Sequence, residues 1–464
     1  MQNTALCPLD GRYRGKLGTL RQYMGEAAFA ASRLRVETTW LGVLCGLKLP
    51  FLKPLSQSEK KILSQLCVIT EEDLAVLHAI EFDGYQHIPA TRHDVKAVEY
   101  FLKLKLKNTS LKNRLNGLHF ALTSEDVNSV AYALLLADGV EKVVLPALEK
   151  IRQALAKLAV KEARSVLLAR THGQPAVPTT FGKEIRVFEG RLARQINQLK
   201  KQQISCKFGG AVGNFNAHVA AFANINWQRA ARLVISGLNK NRKIKIFLTP
   251  VTTQVDPRDT YAELFDNLRR IHVVLTDFSR DMWQYISAGL VRQHAVKGEV
   301  GSSTMPQKVN PIDFENAEGN LQLANTLFEL FVNKLPVSRL QRDLSDSTVL
   351  RNMAVAFGYG CVAYASLLRG LGKIAFDRVA ALQEIKNHPE VLAEGYQTIL
   401  RAAGQENPYE KLRDFTRGQT VTYDALQQFV NQLQVPAEVK EKLRALTPGN
   451  YIGLAEKLAR GKYD

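Results

Sequence analysis

Cysteine is scarce: five residues in 464, at Cys7, Cys45, Cys67, Cys206 and Cys361. The number is odd, the spacing irregular, and no CxxC pair occurs. This argues against a disulfide framework or a zinc site and fits reduced thiols in a cytoplasm. No sequence cluster of His, Cys and carboxylates points to a metal, and no GxxxxGK[ST] is present to cradle a nucleotide phosphate. The 16 prolines and 30 glycines are too few for a fibrous or low-complexity chain. Aromatic residues make up only 8% and no nucleic-acid motif appears, which weighs against a base-stacking surface. The segment MQNTALCPLDGRYRGK lacks an apolar core of signal-peptide length. The longest uncharged run, residues 352–368, carries Asn352, Gly358, Gly360 and Ser366 and reads as a buried helix rather than a membrane span.

What is there is a folded chain, 46% hydrophobic and 23% charged. Single hydrophobic cores stop growing at about 250–300 residues, so two or three domains are expected. Val144, Leu148, Ile151, Leu155 and Leu158 step by four and three, as one helix face requires. Phe181, Ile185, Phe188, Leu192, Ile196 and Leu199 repeat the pattern, and a longer stripe follows through Leu264, Leu268, Ile271, Leu275, Phe278, Met282 and Tyr285. Long helices shield such stripes by packing on one another, so the class is mainly α with a central bundle. Few segments alternate with period two, and no βαβ alternation is found. Weak seams near residues 103–114 and at Gly370 and Gly372 divide the chain into 1–112, 113–371 and 372–464.

Three polar segments stand apart from ordinary connectors. GEVGSSTMPQKVNP (298–311) combines Gly298 and Gly301 with Ser302, Ser303, Lys308 and Asn310. It has the backbone freedom and the donors of a loop that closes over an anion. RTHGQPAVP (170–178) sets His172 among polar neighbours on a backbone made irregular by Gly173 and Pro175, just before a helix starting near Phe181. Imidazole titrates near neutrality, which suits a general acid. In the third segment, Arg92, His93 and Asp94 place a carboxylate beside a second candidate imidazole.

GSSTMPQKVNP resembles the signature loop of the fumarase/aspartase superfamily. That motif alone leaves fumarase, aspartase, argininosuccinate lyase and adenylosuccinate lyase open. CPLDGRY (7–13), RHDVKAVEYFL (92–102), TSEDVN (123–128), RTHGQPAVPTTFGKE (170–184), GAVGNFNAH (210–218), TTQ (252–254) and KLPVSRLQRDLSDSTVLRN (334–352) are more selective. They are similar to the adenylosuccinate lyase family in its long bacterial form, from about residue 8 to TPGNYIG (447–453).

The resemblance implies a three-domain, mainly α homotetramer whose active sites combine segments from three subunits. It also implies a C–N lyase that needs no metal or organic cofactor and releases fumarate from adenylosuccinate and from succinylaminoimidazole carboxamide ribotide (SAICAR). It makes Ser302 the general base and His172 the general acid. Lys308, Asn310 and the backbone at Ser302 and Ser303 would hold the carbanion, and Asn316 would be a further substrate contact. Arg12, Tyr13, Arg342, Ser347, Thr348 and Arg351 would contact the phosphate, Val349 and Leu350 through backbone only. Thr123, Ser124, His93, Asp94 and Gln254 would hold the succinyl group, with Arg92 beside them and His93 supporting His172. The bland alternative for each of these contacts is a helix cap or a surface salt bridge. Gln307 stands where similar bacterial chains tend to have histidine, and Arg92 where some have asparagine.

Basic residues outnumber acidic ones, 62 Lys and Arg against 44 Asp and Glu, for a net charge of +18. Such a surplus admits a polyanion, a membrane, an anionic substrate or a solvated basic face. Residues 151–250 hold 18 Lys and Arg against three acidic residues, whereas 301–350 hold four against six. The surplus is therefore not the binding equipment. It is expected on exposed stretches near 200–207 and 240–245, and the motifs point to small anionic substrates rather than nucleic acid or membrane.

Overall fold

A computed structural model describes residues 5–295, 298, 304–418 and 421–462. The chain is 63% helix and 6% strand, a mainly helical fold. The helices that matter for the site are α1 (Glu26–Gly46), α2 (Asp94–Leu106), α3 (Ser124–Gly139), α4 (Leu145–Lys161) and α5 (Phe181–Leu199). They are followed by α6 (Asp259–Ser287), α7 (Ile312–Lys334) and α8 (Met353–Lys373). The three apolar stripes in the sequence become the buried faces of α4, α5 and α6, with Leu148, Ile151, Leu155, Ile185, Leu192, Leu264, Leu275 and Phe278 all closed to solvent.

Two compact units divide the chain, Met1–Leu148, Gln195–Val273 and Asn320–Ala365 in the first, Glu149–Arg194, Val274–Gly319 and Ser366–Asp464 in the second. Each of α4 to α8 contributes residues to both, so neither unit is one continuous stretch. In the first unit, Phe265 of α6 stacks on Phe328 of α7 at 5.3 Å between centroids, and Phe357 of α8 meets Phe328 edge-on at 5.4 Å. Such pairs fill a helix seam with large rigid surfaces. Trp40 of α1, fully buried, donates its indole N–H to Phe120 O at 2.9 Å and packs near Phe208 and Trp227. A parallel strand pair, β3 (Gln203–Cys206) with β4 (Lys245–Leu248), belongs to the same unit.

In the second unit, Phe278 lies between Phe188 and Phe314. An antiparallel hairpin, β1 (Val166–Thr171) with β2 (Gln174–Thr180), runs directly into α5. That helix starts at Phe181 because the Thr180 hydroxyl accepts the Lys183 N–H at 3.2 Å, an N-cap interaction. Small C-terminal helices share a core of Leu392, Tyr396, Leu400, Leu412, Leu426, Val430 and Leu443.

Two expectations need correction. Residues 166–180 form a strand hairpin rather than an irregular segment. Lys207, placed by the sequence reading on an exposed basic stretch, is fully buried and paired with Asp126. Lys200, Lys201, Lys240, Lys243 and Lys245 do face solvent, but Arg242 is turned inward to a bidentate pair with Asp138, at 2.6 and 2.8 Å. The uncharged run 352–368 lies in α8, where Met353, Phe357, Val362, Tyr364 and Leu367 are buried. The segment Ser345–Lys373 is long and apolar enough to cross a membrane by length and composition, and 56% of its apolar window is buried, as in a core helix.

Candidate active site

In the first unit, the start of α2 gathers three of the residues singled out by sequence. Arg92 takes a left-handed backbone, φ 50, and its N–H reaches Glu81 O at 2.9 Å. His93 is the N-cap of α2: Nδ1 accepts the Lys96 N–H at 3.2 Å. The opposite ring nitrogen, Nε2, lies 3.2 Å from Ser124 Oγ. With Nδ1 accepting, a neutral ring carries its proton on Nε2 and donates it to that hydroxyl. Both nitrogens are thus engaged within this unit, by Lys96 and Ser124.

Asp94 pairs with Arg33 of α1 and sits 3.5 Å from Arg351. Burial works to raise its pKa, but the Arg33 charge, the Val95 N–H and Arg351 outweigh it and hold the carboxyl below its usual value. Arg33 is itself fixed by Asn128 Oδ1 at 2.9 Å and by the Phe29 ring 3.9 Å away. Phe29, Arg33, Asp94 and Arg351, with His78 and Glu81, line a cavity of about 830 Å³. Burial, reinforced by the Asp94 charge, raises the Glu81 pKa.

The start of α3 is tied down from below. Asp126, fully buried, accepts from Thr123 N–H at 2.9 Å, Gly209 N–H at 2.7 Å and Gly210 N–H at 3.0 Å. Lys207 Nζ lies 2.7 Å from the same carboxylate and also donates to Gly210 O. One side chain therefore registers Thr123 and Ser124 against the loop 209–213. Gly213 in that loop has φ 83, and a Cβ there would meet Thr252 O at 2.3 Å. Only glycine lets the loop approach the TTQ segment so closely.

Gln254 at the end of that segment accepts from Arg342 Nη1 at 3.0 Å and donates to Ala211 O at 3.0 Å. Arg342 Nη2 lies 3.2 Å from Glu125. Glu125 also pairs with Arg258 at 3.0 Å, and Arg258 with Asp346 at 2.7 Å. Asp346 belongs to the short helix Ser345–Leu350, which carries Ser347, Thr348 and Val349. The Leu350 side chain is buried there, while Arg351 follows with its side chain 60% exposed. Arg12 is exposed, and Tyr13 N–H is held by Pro8 O at 2.9 Å.

In the second unit, His172 and Gly173 form the two-residue turn between β1 and β2, with φ 53 and 74. Two successive positive φ values define a type I′ turn, which matches the twist of the flanking strands. His172 is exposed at its tip. Arg170 braces the hairpin through Glu384 at 2.5 Å and Gly173 O at 3.4 Å. Lys308 is exposed, with its N–H on Met305 O at 3.1 Å, and Gln307 is exposed beside it. Asn310 is half-buried, and Asn316 Oδ1 on α7 accepts from Ser366 Oγ at 2.7 Å. Ser302 and Ser303 lie outside the described residues.

The residues named from sequence thus fall into two sets. His93, Asp94, Ser124 and Arg351 come together in the first unit, as do Gln254 and Arg342. His172, Lys308, Asn310 and Asn316 belong to the second. Sequence reasoning missed Arg33, Glu125, Asp126, Lys207, Arg258 and Asp346, the buried ions beneath these contacts. Glu125, Asp126 and Asp346 stood inside quoted motifs, and a carboxylate inside a helical apolar pattern is the signal that a buried cation is owed to it.

Residues 56–324 match a lyase family model, and residues 338–452 match the adenylosuccinate lyase C-terminal model. The chain is 43% identical to adenylosuccinate lyase of Haemophilus influenzae over 458 residues, 98% of both chains. It is also 43% identical to that of Escherichia coli K12, over 97% of both. Among solved structures, a 3-carboxy-cis,cis-muconate lactonizing enzyme from Pseudomonas putida superposes with TM-score 0.73 at 21% identity, covering 96% of this chain and 95% of that one. A Mesorhizobium fumarate lyase gives 0.69 at 16% identity, covering 96% of each. These two likenesses speak to the fold.

Proposed function

We propose that this chain, which belongs to the adenylosuccinate lyase family, splits adenylosuccinate into AMP and fumarate and SAICAR into its carboxamide product and fumarate. The carrying observation is a likeness that runs through nearly the whole chain rather than through one motif. Ser302 takes the proton from the succinyl carbon beside a carboxylate, and His172 protonates the departing nitrogen. The doubly charged carbanion between those events needs dense preorganised donors; Lys308, Asn310, Asn316 and the backbone at Ser302 and Ser303 are the candidates. His172 suits its role by standing exposed on a stiff two-residue turn.

Arg342 and Arg351, with Arg12, Tyr13 and the 347–350 backbone and hydroxyls, take the phosphate. Planar guanidinium forks bind phosphate well. Arg342 Nε is buried with no hydrogen-bond partner among the described residues, a donor left for an acceptor from outside. Thr123, Ser124, His93, Asp94 and Gln254, with Arg92 alongside, hold the succinyl group. No metal or organic cofactor enters the proposal.

The working form is a cytoplasmic homotetramer with three domains, 1–112, 113–371 and 372–464, and sites that combine segments of three subunits. Exposed apolar side chains on the long helices favour assembly: Leu323, Leu330 and Val273 in the first unit, Ile312 and Trp283 in the second. Fumarate release from adenylosuccinate, SAICAR and argininosuccinate tests the reading. Turnover of the first two, lost in S302A and H172N, is expected; turnover of argininosuccinate alone would overturn it.

A further inference from the structure

We propose that Arg258, outside the catalytic and substrate set named above, is a positioning residue that sets Arg342 for the substrate's phosphate, acting through Glu125. The inference rests on the reading of Arg342 as a phosphate contact.

Arg258 precedes α6 in a left-handed backbone conformation, φ 62. Residues with a side chain keep that conformation where their surroundings over-determine it. Here they do. The Arg258 N–H donates to Asp256 Oδ2 at 2.8 Å, and Asp256 is held in turn by the hydroxyls of Ser205 at 2.7 Å and Thr249 at 2.6 Å. The side chain is 3% exposed and its guanidinium forks, Nη2 to Glu125 Oε1 at 3.0 Å and Nη1 to Asp346 Oδ2 at 2.7 Å. The arginine is fixed at both ends.

Glu125 has two oxygens and two arginines. One oxygen faces Arg258; the other faces Arg342 Nη2 at 3.2 Å. Arg342 spends Nη1 on Gln254 and keeps Nε unpartnered among the described residues. With Arg258 in place, Glu125 needs only one edge of Arg342. Without it, two buried carboxylates lose their shared cation, and Arg342 is the nearest charge that can answer Glu125. The guanidinium would then be drawn onto the protein and away from a ligand. A lysine at 258 keeps the charge but cannot fork between carboxylates on two elements.

A purely structural ion cluster would be indifferent to what Arg342 binds, so the test compares adenylosuccinate with its phosphate-free nucleoside, succinyladenosine. In R258K, KM for adenylosuccinate is expected to rise roughly tenfold with kcat within about threefold. The nucleoside's kcat/KM should change less than about threefold, so the preference for the phosphorylated substrate shrinks. Equal losses on both substrates would overturn the proposal. R342A is the reference: if it leaves the preference unchanged, the phosphate reading of Arg342 fails. If R342A collapses the preference while soluble R258K retains it, the coupling is wrong. Should R258K not fold, E125Q, which neutralises the shared carboxylate at constant size, is expected to raise KM for adenylosuccinate selectively. A wild-type KM in E125Q would overturn the proposal equally.

Discussion

Lys207 and Asp126 are paired with neither side chain reaching solvent, Nζ 2.7 Å from Oδ1. Removing one partner of such a pair leaves an uncompensated buried charge. K207M is expected to destabilise the protein by about 3–5 kcal/mol, read from urea unfolding followed by circular dichroism. The double variant K207M/D126N should recover part of that loss, since it removes both charges. A single K207M variant as stable as the parent would contradict the assignment.

Two buried histidines predict acid sensitivity. Burial lowers the pKa of His218 to about 4, with Lys207 adding to the effect and Asp126 opposing it. Burial likewise lowers His272 to about 4, against the hydrogen bond its Nδ1–H donates to Asn325 Oδ1, which raises it. Both are neutral when folded and take up a proton near 6.5 when unfolded. The unfolded state therefore binds more protons in between, and stability falls as pH drops from about 6.5 towards about 4. Each site contributes a slope of up to about 1.4 kcal/mol per pH unit. The melting temperature of H218F should fall less steeply over that window than the parent's; parallel curves would exclude His218 as a contributor.

Exchanging His172 for Asn separates chemistry from turn geometry, because asparagine also tolerates positive φ. H172N should keep the parent's melting temperature and lose about 10²–10⁴-fold in kcat, the usual worth of a general acid. G173V, which weakens the type I′ turn itself, should lower the melting temperature as well as kcat. Near-parental kcat in H172N would remove His172 from the mechanism.

Leu323 and Leu330 are half-exposed on α7, at 52% and 49%. Lysine at both positions should shift the sedimentation coefficient to a smaller species and abolish activity, if sites are shared among subunits. A monodisperse, fully active smaller species would argue that each chain builds its own site.

Much of the helical frame was legible because core helices carry their stripes openly. The face Phe181, Ile185, Phe188, Leu192 predicted α5 and its start. The hairpin before it was not legible: Pro175 and Pro178 break its alternation, and its turn is His-Gly rather than the more familiar Asn-Gly. His93, expected to touch substrate, also fills the role its bland alternative allowed, an N-cap of α2. The buried ions escaped because their partners lie far apart in sequence: Arg258 is 133 residues from Glu125 and 88 from Asp346. Lys207 was read as solvated because runs of basic residues usually are; a count of charge cannot tell a surface lysine from one owed to a buried Asp126.

The first unit takes its last stretch from Asn320–Ala365. That segment supplies Phe328 and Phe357 to the aromatic core, and Arg342, Asp346 and Arg351 to the ion network. A nascent chain emerging from the ribosome therefore holds α1, α2 and α3 without the pieces that complete their unit until Ala365 has been made. Its early helices must wait with apolar faces open, the circumstance in which large chains call on chaperones.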